Sequence, residues 1–541
     1  MKRTCSIVLG FAFLVLLPVL RTAAAEAVTA GDIAKAKPEE PKFGAFTPEQ
    51  QASKGTATIA GKRLDYDAYA GTLVVHTKDY DDVPQNANKD EKVGPAEAAM
   101  FYVAYFKSGV PPAQRAVTFL FNGGPGSSTV WLHMGAFGPR RVVTADSTHT
   151  PAAPYAIVNN DFSLLDATDL VFIDAPGTGF SRVAGKDREK AFYSVDADAQ
   201  AFADFIEQFL RKYGRWNSPK YVFGESYGTT RSAVLVNLLE SENLVDLNGV
   251  ILLSQILSFA NSPDGADANP GFELPFALAL PTFCATAWYH HKLPQANREL
   301  APLIAEVEQF AMTDYLAALQ AGSTLDPLKR QDVVAKLHQY TGLPSAYIEK
   351  ANLRVTGGEF EKTLQDDAAT TTGRLDSRFS GPTMDPLSKE ADYDPLEAAI
   401  GSAYVSAFND YARKELKFGE NRSFKPLTSL WKQWNFLHQP PGAPMPLPQS
   451  TNVMPDLAAA MKYNPHLKVM VNAGYFDIAT PFFEGVYEMQ HLPIPASLQQ
   501  NIEYRFYDSG HMVYAHEASL KALHDNVADF IRRTGNVAGA P

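Results

Sequence analysis

The chain has 541 residues, of which 45% are hydrophobic and 20% are charged, so a collagen, a long coiled coil and a largely disordered chain are excluded. The 48 Lys and Arg against 60 Asp and Glu give a net charge of -12, and a field of that sign argues against nucleic acid as a partner. With only 2 cysteines, neither a disulfide framework nor a thiolate zinc site is expected.

The N-terminus has the order of a secretory signal peptide. Lys2 and Arg3 precede an apolar run that ends at Leu20, and small residues follow. The run is shorter than the roughly 20 residues of a transmembrane helix, so a permanent anchor is the less favoured alternative. We therefore expect removal of residues 1–25, export to the periplasm or the exterior, and no stable membrane span afterwards. Cleavage would leave Cys284 as the last cysteine, which we expect to be buried among apolar residues.

The next segments predict a leader and then the start of a sheet. Residues 26–55 contain several prolines and alanines with little hydrophobic periodicity, which indicates an exposed leader. Residues 56–60, 66–76 and 99–106 are rich in β-forming side chains and bounded by turns. They predict an antiparallel entry into a sheet.

Later strands are predicted by short, continuous apolar runs, which are typical of strands covered by helices on both faces. Helical patterns lie between these runs, at Val195–Tyr213 and Ser226–Leu239. Alternation of strand and helix predicts an α/β fold with a mostly parallel central sheet. The runs are Val117–Phe121, Leu170–Asp174, Tyr221–Phe223, Val250–Leu253, Val469–Asn472 and Ile502–Tyr507.

Between residues 256 and 437 the pattern changes to helices, and a Pro-rich segment then leads back to the sheet. We therefore predict an α/β core formed by residues 56–255 and 438–541, interrupted by a helical insertion, or lid, at 256–437. The clearest helical patterns of the insertion are Leu300–Ala321, Pro327–Gln339 and Pro395–Leu416.

The most specific local motif is Gly224-Glu225-Ser226-Tyr227-Gly228, which lies between a predicted strand and a predicted helix. In this context G-x-S-x-G is a nucleophile elbow, in which strand and helix approach closely and serine Oγ is exposed above the sheet. A chance occurrence in a loop would lack these flanks. The motif predicts Ser226 as a catalytic nucleophile in an α/β-hydrolase fold.

A serine nucleophile needs a histidine base that is oriented by a carboxylate, and in this fold the three follow in the order Ser, acid, His. His511 lies in a loop after the last predicted strand and is favoured over His466 and His516. Asp477 follows the preceding strand and is the favoured acid. Asp508 is the alternative, but its place three residues before His511 is more typical of a turn.

The oxyanion formed during attack on a carbonyl needs two preorganised N–H donors. One is expected from Tyr227, directly after the nucleophile, and the other from the Gly-rich turn 122–128 after an early strand. This turn lacks G-x-G-x-x-G and any G-K-[ST] ending, so a dinucleotide or phosphate site is disfavoured. The chemistry predicted from these residues uses no cofactor and no metal.

Five motifs occur along the chain in one order, from about residue 120 to residue 515. Several ordered motifs are far more specific than any single one. They are Asn122-Gly-Gly-Pro-Gly-Ser-Ser, Asp174-Ala-Pro-Gly-Thr-Gly-Phe-Ser181, Gly224-Glu-Ser-Tyr-Gly, Gly474-Tyr-Phe-Asp477 and Gly510-His-Met512.

Together these motifs resemble the serine carboxypeptidase family, as a bacterial-type member with a signal peptide and no disulfides. The resemblance implies an α/β-hydrolase core with a helical insertion and hydrolysis of C-terminal residues from peptide substrates. It implies Ser226, Asp477 and His511 as the catalytic triad. It also implies the N–H groups of Gly124 and Tyr227 as the oxyanion hole.

The same resemblance implies a set of substrate-binding residues. Asn122, Gly123 and Glu225 would help to hold the C-terminal carboxylate of the substrate. Met512 would line the side of the leaving group. An esterase or acyltransferase with the same triad stays open as an alternative, and a non-catalytic binding protein is a remote one.

Three features depart from the family. Leu120 replaces a tryptophan, Ala136 replaces a glutamate that shares a proton with Glu225, and the disulfides of eukaryotic members are absent. Without that glutamate we expect the pKa of Glu225 to stay near about 4.3 unless burial raises it. An ionised Glu225 would repel a substrate carboxylate. Arg231 is expected to form a buried ion pair beneath the site, and its alternative role is a bidentate fork for a carboxylate. The candidate for the compensating group is Arg231 in that alternative role or a residue of the insertion at 256–437.

Overall fold

The computed structural model describes residues 45–78, 80, 94–295 and 297–536. The predicted signal peptide and the larger part of the predicted leader lie outside these residues. Within the described ranges, no helix combines the length and the apolar character needed to span a membrane.

The strands follow the chain order predicted from the sequence. The short apolar runs correspond to observed strands, with ends that differ by a few residues at most. The strands are β1 Gln50–Ile59, β2 Lys62–His76, β3 Glu97–Lys107, β4 Ala116–Phe121, β5 Arg140–Val142, β6 Ile157–Asn159, β7 Thr168–Ile173, β8 Arg182–Ala184, β9 Lys220–Glu225, β10 Gly249–Leu253, β11 Thr370–Thr372, β12 Ser380–Pro382, β13 Lys468–Gly474 and β14 Ile502–Tyr507.

The helices of the described residues include long ones between the strands of the sheet and several short ones. The α-helices are α1 Arg188–Phe192, α2 Val195–Tyr213, α3 Tyr227–Ser241, α4 Leu274–Tyr289, α5 Leu300–Phe310, α6 Leu316–Ala321, α7 Pro327–Thr341, α8 Ser345–Lys350, α9 Gly357–Thr363, α10 Pro395–Lys414, α11 Met454–Tyr463, α12 Phe482–Gln490, α13 Ala496–Gln499 and α14 Glu517–Thr534.

A 10-stranded mixed sheet forms the centre of the described structure, in the order β1-β2-β3-β7-β4-β9-β10-β13-β14, with β8 paired to β3. The pairs that involve β1, β2 and β3 are antiparallel. All neighbours from β7 to β14 are parallel. The predicted mostly parallel sheet of α/β type is confirmed.

Alternating side chains of the sheet enter two separate cores. In β4, Phe119 packs on the face that α2 and α3 cover, and its neighbour Leu120 packs on the face that α10 and α14 cover. Because both faces are covered, β4, β7, β9 and β10 are buried along their whole length, as their unbroken apolar runs predict.

The start of the sheet differs from the prediction. Strand β1 begins at Gln50, so residues 50–55, expected within the leader, pair with β2. Most of these side chains are exposed or half-buried, so the segment is held by backbone pairing. Its side chains therefore carry little of the hydrophobic alternation that sequence patterns detect.

The segment between β10 and β13 contains helices α4 to α11 and the hairpin of β11 and β12. Helices α4 to α9 share a hydrophobic cluster of their own, in which Cys284 of α4 is fully buried. Helix α4 itself was not predicted, because it is apolar on almost every side and contains Pro281.

The register of the parallel strands brings four loops to one edge of the sheet. Phe121 of β4 is paired with Gly224 of β9, and Glu225 is paired with Leu253 of β10. Gly474 of β13 is paired with Tyr507 of β14. Since parallel strands all end at the same edge, the loops that follow β4, β9, β13 and β14 converge there.

Candidate active site

Ser226 occupies a sharp turn between β9 and α3. Its backbone has φ of 62° and ψ of -133°, a region that a non-glycine residue adopts only when its surroundings impose it. Its N–H donates to Leu253 O at 3.0 Å and its carbonyl accepts from Thr229 N at 2.7 Å. A Cβ on Gly224 would lie 2.2 Å from Gly228 O, so only glycine allows this approach of strand and helix. The turn has the geometry of a nucleophile elbow.

His511 and Asp477 are hydrogen-bonded to each other at the same edge of the sheet. His511 Nδ1 lies 2.8 Å from Asp477 Oδ2, and Asp477 is fully buried at 0% exposure. Thr480 fixes the carboxylate, because its N–H donates to Oδ1 at 3.0 Å and its hydroxyl donates to Oδ2 at 2.7 Å. Burial lowers the pKa of His511, but the charge of Asp477, the hydrogen bond to it and the charge of Glu225 together outweigh burial, so the pKa is raised above 6.5.

Ser226 and His511 line one cleft, although no hydrogen bond joins their side chains within the described ranges. Hydrogen bonds of this kind are often long without substrate and tighten in the Michaelis complex. The rejected candidates lie elsewhere. Asp508 and His466 are exposed, and His516 bonds Ser519 Oγ at 2.9 Å at the start of α14.

The Gly-rich turn after β4 packs directly on the beginning of α3. A Cβ on Gly123 would lie 2.4 Å from the backbone nitrogen of Tyr227. The first N–H groups of a helix have no acceptor within it, so Tyr227 N–H is available to a ligand. Gly124 is the next residue of the turn, and both Gly124 and Tyr227 line the cleft.

The motif that begins at Asp174 braces this turn from the adjacent strand. Asp174 Oδ1 accepts from Thr129 N at 2.8 Å, and its other oxygen accepts from Phe180 N at 3.3 Å. Asp174 is therefore a buried anchor of the loop and lies outside the cleft lining.

Arg231 forms the predicted buried ion pair, and the alternative role as a fork for a substrate carboxylate is wrong. Its Nε donates to Asp198 Oδ2 at 2.6 Å, and both side chains have 0% exposure. A second nitrogen donates to Asn122 O at 2.8 Å. Arg231 therefore ties α2, α3 and the Gly-rich turn together from beneath the site, and solvent or substrate cannot reach it.

Glu225 is a buried carboxyl group beside the nucleophile. The exception named in the prediction applies, because burial to 2% exposure raises the pKa of this carboxyl to about 7 with alanine at position 136. Tyr514 Oη lies 3.1 Å from Oε1 and 2.9 Å from Oε2 of Glu225. Asn122, whose Oδ1 accepts from Leu132 N at 3.2 Å, acts to lower the pKa of the carboxyl.

The cleft has a volume of about 420 Å³. Met512 and the predicted residues Asn122, Gly123 and Glu225 line it together with Ser226 and His511, whereas Asp477 lies behind His511 and is absent from the lining. An apolar part of the wall comes from Trp131, Leu396, Ile400, Leu427 and Met512.

The cleft also contains an ion pair that the sequence did not indicate. Arg374 and Asp264 bond each other and both line the cleft. Arg374 lies in the polar, Thr-rich stretch of the insertion, which has no motif to single it out. Within the described ranges, no group of three His, Cys, Asp or Glu side chains is arranged to hold a metal ion.

The parallel register, the strand order and the strand–serine–helix turn are those of an α/β-hydrolase. The crystal structure of a prohormone-processing carboxypeptidase from Saccharomyces cerevisiae has the same fold, with a TM-score of 0.51 at 15% identity over 86% of this chain and 91% of that one. Residues 91–262 match the family described as serine carboxypeptidase. This segment is thus similar to the serine carboxypeptidase family.

Similarity to individual relatives covers part of each protein. A carboxypeptidase Y homolog of Arthroderma benhamiae is 32% identical over 134 residues, which are 25% of this chain and 24% of the relative. Serine carboxypeptidase-like 9 of Arabidopsis thaliana is 24% identical over 187 residues, which are 34% of this chain and 41% of the relative. The matches thus span less than half the length of either relative.

Proposed function

We propose that the protein is an exported serine carboxypeptidase that removes C-terminal residues from peptides through an acyl-enzyme. The observation that carries this proposal is the buried Glu225 beside the nucleophile, in the same cleft as Ser226 and His511. A neutral carboxyl group at that place can donate a hydrogen bond to a substrate carboxylate. An enzyme that recognises esters alone has no need for such a donor.

The proposed chemistry begins with attack by Ser226 Oγ on the scissile carbonyl. Asp477 accepts from Nδ1–H of His511, which leaves the Nε2 lone pair free to take the serine proton. The N–H groups of Gly124 and Tyr227 would receive the negative charge of the tetrahedral intermediate. His511 then gives the proton to the leaving amine, and water hydrolyses the acyl-enzyme by the reverse proton transfers.

Recognition of the chain end rests on the residues around the nucleophile. Below a pH of about 7, Glu225 is protonated and its O–H can donate to the terminal carboxylate. Asn122 and Gly123 would lie beside that carboxylate. Met512 and the apolar wall formed with Trp131 favour an apolar side chain on the departing residue. We assign the helical segment 256–437, which contributes part of this wall, as the lid.

Export is the part of the proposal that concerns the N-terminus. It rests on the order of charged, apolar and small residues before Glu26. We expect the mature protein to begin at Glu26. N-terminal sequencing of protein from the periplasm or medium tests this, and recovery of intact Met1 in a membrane fraction would refute export.

The function is tested with three matched substrates at about pH 6.5: a peptide with a free C-terminus, the same peptide amidated, and a simple aryl ester. The proposal predicts the highest kcat/KM on the free peptide and loss of hydrolysis of all three in Ser226→Ala. Efficient hydrolysis of the ester with no cleavage of either peptide would identify an esterase instead. Equal rates for free and amidated peptides would remove the role of Glu225 in end recognition.

A further inference from the structure

Glu225 has an unusual environment for a buried carboxyl group. Within the described ranges, no Lys or Arg side chain forms an ion pair with it, although its exposure is only 2%. The phenol of Tyr514 lies within hydrogen-bonding distance of both of its oxygens, at 3.1 Å and 2.9 Å. A carboxyl group held in this way by a neutral donor can change its protonation state without losing its partner.

Tyr514 is itself fixed in place. It lies in the 3-10 turn Val513–Ala515, two residues after Met512 of the cleft, and its exposure is 4%. Its ring packs against the π-helical turn Leu132–Phe137, because a Cβ on Gly135 would lie 2.7 Å from Tyr514 Cδ2. The ring is therefore enclosed on this side, and its O–H donates to Glu225.

We propose that Tyr514 is a positioning residue that holds the Glu225 carboxyl group towards the substrate and thereby sets the pH range in which the enzyme selects a free C-terminus. This inference rests on the proposed carboxypeptidase function and deepens it. Tyr514 is assigned no contact with substrate, since it is absent from the cleft lining and acts through Glu225.

The sign of the effect follows from which form of Glu225 the phenol stabilises. Burial is the largest influence on the pKa of Glu225 and raises it, and the charge of Asp477 adds a smaller rise. The charge of His511, the O–H donor of Tyr514 and the side chain of Asn122 lower this pKa. The phenol of Tyr404 also lies near Glu225, and its pKa is raised, first by burial and then by the charge of Glu225. Removing the Tyr514 hydroxyl takes away a donor to the carboxylate, so the pKa of Glu225 rises further.

The expected pH profile has two limbs. The acid limb reports deprotonation of His511, and the alkaline limb reports loss of the Glu225 proton. Because the two groups interact, the pKa values obtained from the limbs are apparent values of the pair. Tyr514→Phe should move the alkaline limb for a free-ended peptide upward by about one pH unit, the size expected for one lost hydrogen bond to a charged group. It should also lower kcat/KM at the optimum by roughly 10-fold, mainly through KM, because Glu225 is held less firmly.

The experiment compares wild type, Tyr514→Phe, Glu225→Gln and the double variant on a free-ended peptide and on an aryl ester, from acid to alkaline pH. The alkaline limb for the peptide should move in Tyr514→Phe, and it should vanish in Glu225→Gln, with no further change in the double variant. Hydrolysis of the ester needs no donor to a carboxylate, so Tyr514→Phe should not shift the ester profile by the amount seen for the peptide.

An unmoved peptide limb in Tyr514→Phe, or an equal shift on the ester, would overturn the inference. If Tyr514→Phe does not fold, persistence of the alkaline limb in Glu225→Gln would overturn it equally. Failure of the proposed function has a different signature, because wild type would then hydrolyse the ester and leave the free-ended peptide intact.

Discussion

Replacing Asp477 by asparagine exchanges one carboxylate oxygen of the proposed triad for an NH2 group. Thr480 N–H, 3.0 Å from Oδ1, requires an acceptor, so the amide oxygen of the new side chain should remain there. The NH2 group then occupies the position of Oδ2, 2.8 Å from His511 Nδ1, where the hydroxyl of Thr480 can accept one of its protons. A donor facing Nδ1 forces that nitrogen to accept, which moves the imidazole proton to Nε2.

This tautomer has no lone pair directed at Ser226, so the base is lost while the fold is retained. We expect kcat to fall by ~10⁴-fold, which corresponds to about 5 kcal/mol of transition-state stabilisation. The matched control is Asp508→Asn, the same chemical change at an exposed carboxylate three residues before His511. The control should change kcat by no more than about twofold.

The assay measures kcat for wild type and both variants on one free-ended peptide, with unfolding curves to show that each protein is folded. A folded Asp477→Asn protein that keeps a tenth of the wild-type kcat would refute the tautomer argument. A larger loss in Asp508→Asn than in Asp477→Asn would show that the acid has been assigned to the wrong residue.

His438→Asn should destabilise the fold in a pH-dependent way. Burial lowers the pKa of His438, whereas its hydrogen bonds to Asp196 and Asp456 raise it, and the net pKa is about 9. The protonated His438 therefore stabilises the fold fully below pH 6.5, and this stabilisation is lost as the pH rises through about 9. In urea unfolding, His438→Asn should lower the free energy of unfolding by about 3 kcal/mol near pH 6, reduced by the cost of burying the Asp456 charge, and should change it little near pH 10. An equal decrease at both pH values would contradict this prediction. Cys284 should be inert, since burial raises the pKa of its thiol to about 12, and inactivation of the folded enzyme by mild alkylation would count against this.

The part of the site that is local in sequence could be predicted from the sequence. A strand, Ser226 and a helix follow each other directly, so the geometry of the elbow is determined by adjacent residues. The positions of Asp477 and His511 could be predicted from chain order, because parallel strands all end at one edge of the sheet. Their hydrogen bond follows from that topology.

The rest depends on contacts between distant segments, which hydrophobic patterns do not encode. Tyr514 and Glu225 are 289 residues apart in the sequence. The motif around Ser226 therefore could not predict that Tyr514 is the hydrogen-bond donor to Glu225. The high pKa of Glu225 results from burial that only the assembled fold produces. Arg374 reaches the cleft from a stretch without periodicity, and its pairing with Asp264 is equally non-local.

The central claim is tested most directly by mass spectrometry of one defined peptide during digestion. A carboxypeptidase that uses Ser226 predicts a ladder of products, each shorter by one residue at the C-terminus. The same peptide should remain intact with Ser226→Ala, and its amidated form should be degraded much more slowly by wild type. Cleavage within the peptide or from its N-terminus, or an unchanged ladder with Ser226→Ala, would contradict the account.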